Sequence, residues 1–149
     1  MRKVQRSALV RHSADAMYSL VDDIESYPEF LPWCRHSEIH FREGPVVEAT
    51  LDLHRGELSR KFRTRNTAVG KSVIDMQLVD GPFNYLVGRW TFTQLGDSGS
   101  KVALNLEFEF SNRAVDLIFG AFFEEVCNSL VEAFTRRADA VFSLRASAP

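Results

Sequence analysis

The sequence predicts an α+β domain in which one curved antiparallel β-sheet of about seven strands is covered by a long C-terminal helix. Two patterns carry this prediction. From His36 to Phe110, short runs of strand-forming residues alternate with turn residues such as glycine, proline and aspartate, which is typical of an antiparallel meander. After Asn112, apolar residues recur every third or fourth position, which indicates an amphipathic helix. The chain of 149 residues has the length of one domain with its own core.

The N-terminal residues predict a strand followed by a short helix. Val4–Val10 is expected to form the first strand, and Ser13 is suited to cap a helix that ends near Ile24. The next segment, Tyr27–Cys34, has the sequence YPEFLPWC. Because each of its two prolines disfavours the helical conformation in the residue before it, this segment is expected to form an apolar loop.

The loop contains three large apolar side chains, Phe30, Leu31 and Trp33. Two interpretations remain open. These side chains could stay partly exposed and either gate a cavity or contact a bilayer. Alternatively, Phe30 and Trp33 could close the open end of the sheet as core residues.

The predicted strands have one polar and one apolar face, and the predicted helix is long. Alternation is clearest over residues 47–54 and 102–110, so each of these strands turns one face toward the core. The helical spacing continues to about residue 144, and some 30 residues at 1.5 Å each make a helix about 45 Å long. Residues 1–144 therefore form a single domain, and residues 145–149 are expected to be a frayed tail.

Composition limits the class of protein. The 18 basic and 20 acidic residues leave a formal net charge of −2, so no overall positive field favours nucleic acid or an anionic membrane. Cys34 and Cys127 fit no zinc-site spacing and are expected to be buried free thiols, with a disulfide as the alternative. Neither a signal peptide nor a stretch of about 20 apolar residues is recognisable. We therefore expect a cytoplasmic protein that can visit the periphery of the inner membrane.

Four blocks of sequence carry a family resemblance. They are YPEFLPWC at residues 27–34, FRTRN at 62–66, GPF at 81–83 with GRWTF at 88–92, and AFTRRA at 133–138. In content and order these blocks resemble the coenzyme Q-binding, RatA-like branch of the START-related helix-grip (SRPBCC) superfamily. Members of this group are also described as oligoketide cyclase or lipid transport proteins. The resemblance extends over essentially the whole chain.

The resemblance implies a helix-grip fold and one of three functions. The first is non-catalytic binding of a hydrophobic ligand, a ubiquinone-like isoprenoid lipid held without covalent attachment between sheet and helix, in support of respiration. The second is that of the toxin in a toxin–antitoxin pair, which binds the large ribosomal subunit and blocks subunit association. The third is that of a polyketide cyclase-like enzyme.

The aromatic content fits a cavity under the helix, as the first function requires. The chain has 12 Phe, 2 Trp and 3 Tyr, which is more than a small core usually needs. The predicted ligand-binding residues come from the inward strand positions, the facing helix positions and the loop: Phe30, Leu31, Trp33, Leu51, Phe62, Thr64, Asn66, Met76, Trp90, Phe92, Phe108, Phe119, Phe122, Phe123 and Val126. The same strand faces add Leu53, Ile74, Leu78 and Leu106 to the wall. A solid core of interdigitated side chains is the alternative.

Two polar residues stand among these apolar ones. Thr64 and Asn66 could hydrogen-bond to a quinone carbonyl, while the rest of the cavity would hold the prenyl tail. Because each buried carbon of such a tail contributes about 0.8 kcal/mol, tight binding requires no catalytic residue.

A local cluster of cations bears on the ribosomal alternative. Lys61, Arg63 and Arg65 alternate along one predicted strand and therefore project from the face opposite to the cavity. They could contact phosphates of ribosomal RNA or of anionic lipid. The alternative is that they pair with acids on neighbouring strands, such as Glu48 or Asp75.

The residues offer little support for an enzyme. No histidine stands at a Ser/His/Asp, Cys/His or HExxH spacing, and no nucleotide-binding glycine motif is present. Asp22 and Asp23 are adjacent, as are Glu124 and Glu125. Because adjacent residues diverge by about 100° on a helix, neither pair can act as a carboxylate dyad. We therefore predict no catalytic residue and no metal ligand.

Overall fold

A seven-stranded antiparallel sheet forms one layer of the fold in the computed structural model, which describes residues 2–147. The strands are β1 (Arg2–Val10), β2 (Cys34–Glu43), β3 (Val46–Arg55), β4 (Leu58–Val69), β5 (Val73–Asp80), β6 (Phe83–Leu95) and β7 (Gly99–Phe110). Their order in the sheet is β1-β7-β6-β5-β4-β3-β2. Strands β2 to β7 therefore follow one another as hairpins, and β1 pairs with β7 at the far edge. The predicted meander is confirmed.

Helices form the second layer. They are α1 (Ala14–Asp22), α2 (Tyr27–Phe30) and α3 (Arg113–Ser147), with a single 3-10 turn at Ile24–Ser26 between the first two. The 35 residues of α3 correspond to about 52 Å, so it spans the apolar face of the sheet. The helix includes residues 145–147, which the sequence assigns to a tail, and residues 148 and 149 lie outside the described residues. No helix in the described part of the chain is both long and apolar enough to cross a membrane.

The segment predicted to be a loop begins as a helix. Tyr27 has helical angles (φ −52°, ψ −43°) although a proline follows it, and α2 continues to Phe30 before the chain becomes extended at Leu31. Pro28 is tolerated because it lies in the first turn, where a backbone N–H would have no helical partner. The loop prediction was therefore wrong for residues 27–30.

Aromatic rings fill one end of the space between sheet and helix. Phe83, Phe108 and Phe110 project from β6 and β7 and pack against Phe119 and Phe123 of α3, with ring centroids 4.9–6.3 Å apart. Most of these pairs meet edge to face, the arrangement that ring quadrupoles favour. At this end the alternative of a solid core is confirmed.

Polar contacts attach α3 to the β1 edge of the sheet. The guanidinium of Arg2 pairs with the carboxylates of Asp116 and Glu124, and Arg6 donates a hydrogen bond to the side-chain oxygen of Asn128 over 3.0 Å. Both arginines lie on the face of β1 that carries the buried Val4 and therefore point toward the helix.

Helix α1 begins at the predicted cap. The Ser13 hydroxyl oxygen accepts a hydrogen bond from the backbone N–H of Ala16 over 3.1 Å, and Met17 and Val21 are buried on the inner face of the helix.

Ser13→Ala should therefore lower the free energy of unfolding by about 1 kcal/mol in chemical denaturation. Ser13→Asp keeps a capping oxygen and should retain the wild-type stability. Equal losses in the two variants would contradict capping as the cause.

Candidate ligand-binding cavity

A cavity lies between the sheet and α3, beyond the ring cluster. It is lined by Ile24, Tyr27, Trp33, Ala49, Leu51, Leu53, Phe62, Thr64, Asn66, Met76, Leu86, Trp90, Leu106, Phe123, Val126, Cys127, Leu130 and Phe134. Apart from Thr64 and Asn66, these residues are apolar, aromatic or carry a thiol. None of the described lining residues is an acid, a histidine, a lysine or an arginine.

The cavity is narrow. It leaves about 70 Å³ for the centres of water-sized molecules, whereas one water needs roughly 10–15 Å³ on this measure. The space therefore accommodates a few small molecules, and a prenylated quinone requires side chains of the wall to move outward. Met76, an unbranched and flexible side chain, is one that can do so.

Gly88 shapes the wall between β5 and β7. A Cβ atom at this position would lie 2.4 Å from Cδ2 of Leu106 and 2.6 Å from Cε of Met76, closer than real contacts allow. Because Gly88 has no side chain, these two cavity-lining side chains can both lie against β6.

The polar groups of the cavity lie side by side on β4. The hydroxyl of Thr64 donates a hydrogen bond to Oδ1 of Asn66 over 3.0 Å. The Thr64 oxygen retains acceptor capacity, and the Asn66 amide retains its N–H donors. The hydroxyl of Tyr27 is engaged elsewhere, because it donates to the backbone carbonyl of Val21. Thr64 and Asn66 are therefore the polar pair that a ligand carbonyl could meet.

Burial makes the cysteine thiols poor nucleophiles. Both cysteines are free and buried, as predicted. Burial raises the pKa of the Cys127 thiol, which lines the cavity, well above its ordinary value, and burial raises the pKa of Cys34 to about 11. Because the thiolate is the reactive form, neither sulfur is activated for covalent chemistry at neutral pH.

The structure brings nine of the fifteen predicted ligand-binding residues to the cavity. They are Trp33, Leu51, Phe62, Thr64, Asn66, Met76, Trp90, Phe123 and Val126. The predicted inward face of β4 is thus correct, since Phe62, Thr64 and Asn66 all reach this space. Contact of these side chains with a ligand stays a prediction.

Six predicted residues face inward or pack in the core but do not line the cavity. They are Phe30, Leu31, Phe92, Phe108, Phe119 and Phe122. Phe108 and Phe119 belong to the solid ring cluster, and Phe92 stacks on Trp90 with its centroid 6.2 Å away. Phe122 lies beneath the guanidinium of Arg55. Alternation predicts the face of a strand on which a residue lies, but not its position relative to a cavity.

Seven lining residues were missed: Ile24, Tyr27, Ala49, Leu86, Cys127, Leu130 and Phe134. Helical spacing from Phe123 and Val126 could have found Cys127, Leu130 and Phe134, and strand alternation could have found Ala49. No sequence signal places Ile24 and Tyr27 at the cavity, because they reach it only through the packing of α1 and α2 on the sheet.

The α2 segment closes one end of the cavity as core. Leu31 is fully buried, and the Phe30 ring packs edge to face against that of Phe134. The Arg137 guanidinium lies over the Phe30 ring, 5.0 Å from its centroid. Tyr27 and Trp33 line the cavity from this end. The interpretation of Leu31 as an exposed bilayer contact was therefore wrong, while Phe30 and Trp33 pack against the core, as the alternative interpretation has it.

Two of the three cations in the basic cluster on β4 pair with one acid. Arg63 and Arg65 both pair with the Glu48 carboxylate, at nitrogen–oxygen distances of 2.7 and 3.1 Å. Glu48 lies across the sheet on β3, so the cross-strand alternative is confirmed for this acid, while Asp75 pairs with Arg89 instead. Lys61 lies exposed at the start of the same strand.

One histidine has an acidic partner that the sequence did not reveal. Nε2 of His12 lies 2.7 Å from Oδ1 of Asp139, in a surface groove between the β1–α1 connection and the C-terminal half of α3. Neither residue lines the cavity described above. The pair links α3 to the N-terminal part of the chain.

The Glu48 carboxylate makes stability depend on pH. Its burial alone raises its pKa, but hydrogen bonds and charge from Arg65 and Arg63 outweigh burial and hold the pKa below the ordinary value of 4.5. The ionised carboxylate therefore stabilises the fold above that value, and the contribution is lost as the pH falls through the lowered folded-state pKa.

We expect Glu48→Gln to be less stable than the wild type at about pH 7, with a difference that shrinks as the pH falls below about 4.5. Chemical denaturation over a pH series measures this difference. A gap that widens in acid, or that does not change, would contradict the role assigned to Glu48.

The sequence and the fold both resemble known proteins. A family model described as polyketide cyclase / dehydrase and lipid transport matches residues 10–135. The ribosome association toxin RatA of Escherichia coli (strain K12) is 42% identical over 145 residues, which cover 97% of this chain and 92% of that protein. The mitochondrial coenzyme Q-binding protein COQ10 of Drosophila melanogaster is 29% identical over 133 residues, covering 87% of this chain and 55% of that protein.

A solved structure shows the same fold. A START superfamily protein from Mycobacterium smegmatis superposes with a TM-score of 0.79 at 22% sequence identity, covering 93% of this chain and 98% of that one. The predicted START-like architecture is thereby confirmed.

Proposed function

The chain belongs to the polyketide cyclase / dehydrase and lipid transport family, and on the basis of its cavity we propose that it binds a ubiquinone-like hydrophobic ligand without converting it. The observation that carries this proposal is the cavity wall, which is apolar except for one hydrogen-bonded pair, Thr64 and Asn66. Such a wall matches a molecule with a long apolar tail and a small polar head.

The energetics favour binding through the tail. Each carbon transferred from water to the cavity contributes about 0.8 kcal/mol, so several prenyl carbons offset the cost of moving the wall apart. The head contributes orientation. The Asn66 amide can donate to a quinone carbonyl, and the Thr64 hydroxyl oxygen can accept from a quinol hydroxyl.

The choice of a quinone rests on a relative. The name of the Drosophila protein states that it binds coenzyme Q, and its similarity covers most of this chain. The proposed role is that of a cytoplasmic carrier that supports respiration at the periphery of the inner membrane.

The cavity gives less support to a cyclase, although the family description names that activity. General acid–base catalysis needs a positioned group with a suitable pKa, and the described lining residues include no carboxylate, histidine or lysine. The Cys127 thiol, whose pKa is raised by burial, stays protonated. We therefore propose a non-catalytic role.

Tryptophan fluorescence tests ligand binding directly, because both tryptophans of the chain, Trp33 and Trp90, line the cavity. A short-chain ubiquinone should quench this fluorescence in a saturable way, and mass spectrometry of an organic extract of the purified protein should detect an isoprenoid quinone. Ala49→Leu fills the cavity and should weaken the binding at least about tenfold, since a close-packed wall leaves no room for added methylene groups.

The matched control is Ala103→Leu, the same substitution at a half-buried position on the opposite face of the sheet, which should bind like the wild type. A protein that carries no lipid after purification and shows no saturable quenching would overturn the proposal.

Association with the large ribosomal subunit is the second candidate, favoured by 42% identity to a ribosome association toxin over nearly the whole chain. The contact surface we propose is the outer face of β4, where Lys61 and Arg65 are exposed and where Arg63 and Arg65 share the carboxylate of Glu48. Cations of this kind position a protein on phosphates without reading sequence.

Sucrose gradients of cells that overproduce the protein test this candidate. The wild type should raise free subunits at the expense of joined ribosomes, and Lys61→Glu combined with Arg63→Gln and Arg65→Gln should abolish this effect. Glutamine is used at the arginines because acids there would repel the buried Glu48. Lys71→Glu, at an exposed lysine beyond the other end of β4, is the control. Full activity in the triple variant would exclude this surface.

A further inference from the structure

Two large apolar side chains near the start of α3 are exposed to solvent. Leu117 is 77% exposed and Ile118 is 64% exposed, whereas the next aromatic residues along the helix, Phe119, Phe122 and Phe123, are buried. Burying one such side chain stabilises a complex by an amount comparable to a strong polar contact. The exposed pair therefore points to a partner that can receive apolar groups.

The pair lies near one end of the cavity. Ile118 is one helical turn before Phe122 and on the same side of α3. Phe123, the next residue, lines the cavity and contacts Phe62 of β4 with ring centroids 5.8 Å apart.

Two arginines lie near the exposed pair. Arg113 is exposed and stands one turn before Leu117 on the same side of the helix. Arg55, the last residue of β3, lies 5.8 Å from the ring centroid of Phe122. The three acids in this part of α3 are paired, because Asp116 and Glu124 both contact Arg2 and Glu125 contacts Arg55 itself.

The neighbouring hairpin end adds to this charge. Beyond Arg55, residues 56–61 carry two cations, Arg60 and Lys61, against the single acid Glu57. An anionic phospholipid surface offers both partners that this arrangement requires, because its phosphates attract the cations and its acyl region receives the apolar side chains.

We propose that Leu117 and Ile118, together with Arg113 and Arg55, form a docking face for an anionic phospholipid membrane, the source from which the protein takes up its hydrophobic ligand. The membrane contact is inferred from the exposed pair and the neighbouring cations, whereas the uptake of ligand rests on the proposed function. Docking of a second copy of the chain and docking on the ribosome are the competing occupants.

Vesicle co-sedimentation of the full chain tests the docking face. The wild type should bind vesicles of phosphatidylcholine that contain phosphatidylglycerol, and it should bind pure phosphatidylcholine more weakly. Leu117→Ser combined with Ile118→Ser should lower the partition coefficient about tenfold or more. Arg113→Glu should remove the preference for the anionic vesicles.

Leu9→Ser provides a matched control, because Leu9 is 75% exposed on β1 and lies outside the docking face. It should bind vesicles like the wild type. Unchanged vesicle binding in the Leu117/Ile118 double variant would overturn the proposal. So would a double variant whose only change is loss of self-association in gel filtration or loss of ribosome co-sedimentation.

Quinone quenching of Trp33 and Trp90 in the same variants separates the docking face from the proposed function. If quinone quenching is normal and the substitutions at residues 117 and 118 leave vesicle binding unchanged, the docking face is rejected and the carrier function remains intact. Vesicle binding that depends on these residues, in a protein whose fluorescence no quinone quenches, would reject the carrier function and retain the membrane contact.

Discussion

The packing of Phe123 against the sheet is the contact on which the rest of the structure depends. Its ring lies 4.9 Å from that of Phe108, 5.0 Å from that of Phe83 and 5.8 Å from that of Phe62, so one residue of α3 contacts β7, β6 and β4 together. Because protein interiors are close-packed, this contact sets the height of the helix above the sheet. Further along α3, the facing side chains are smaller, as at Ala49 and Val126, and the same height leaves a cavity there.

The cavity and the ring cluster are thus two consequences of one helix crossing one sheet. Large rings fill the space at one end, and α2 closes the other end by placing Tyr27 beside Phe134. Between them, the wall is apolar except for Thr64 and Asn66. An enclosure of this composition suits a molecule that must be shielded from water.

The outer face of the sheet follows a different principle. Its charges are arranged in cross-strand pairs, and Glu48 stays ionised although it is buried because Arg63 and Arg65 both hold it. Both arginines therefore stabilise the fold through Glu48, whether or not they also contact a partner. Near the start of α3, by contrast, the cations Arg113 and Arg55 lie close to two exposed apolar side chains, Leu117 and Ile118. This combination distinguishes that end of the molecule from the outer face of β4.

Local periodicity was sufficient to predict the seven-stranded meander, the long C-terminal helix, the cap at Ser13 and the inward face of β4, because each depends on neighbours within a few residues. Only the tertiary structure decided which inward residues line a cavity, since that depends on where α3 crosses the sheet and not on which face a residue occupies. It also decided that Phe92 and Phe108 are core, that Ile24 reaches the cavity, and that His12 meets Asp139. These contacts join residues that are far apart in the chain, and the local periodicity of a sequence carries no information about such contacts.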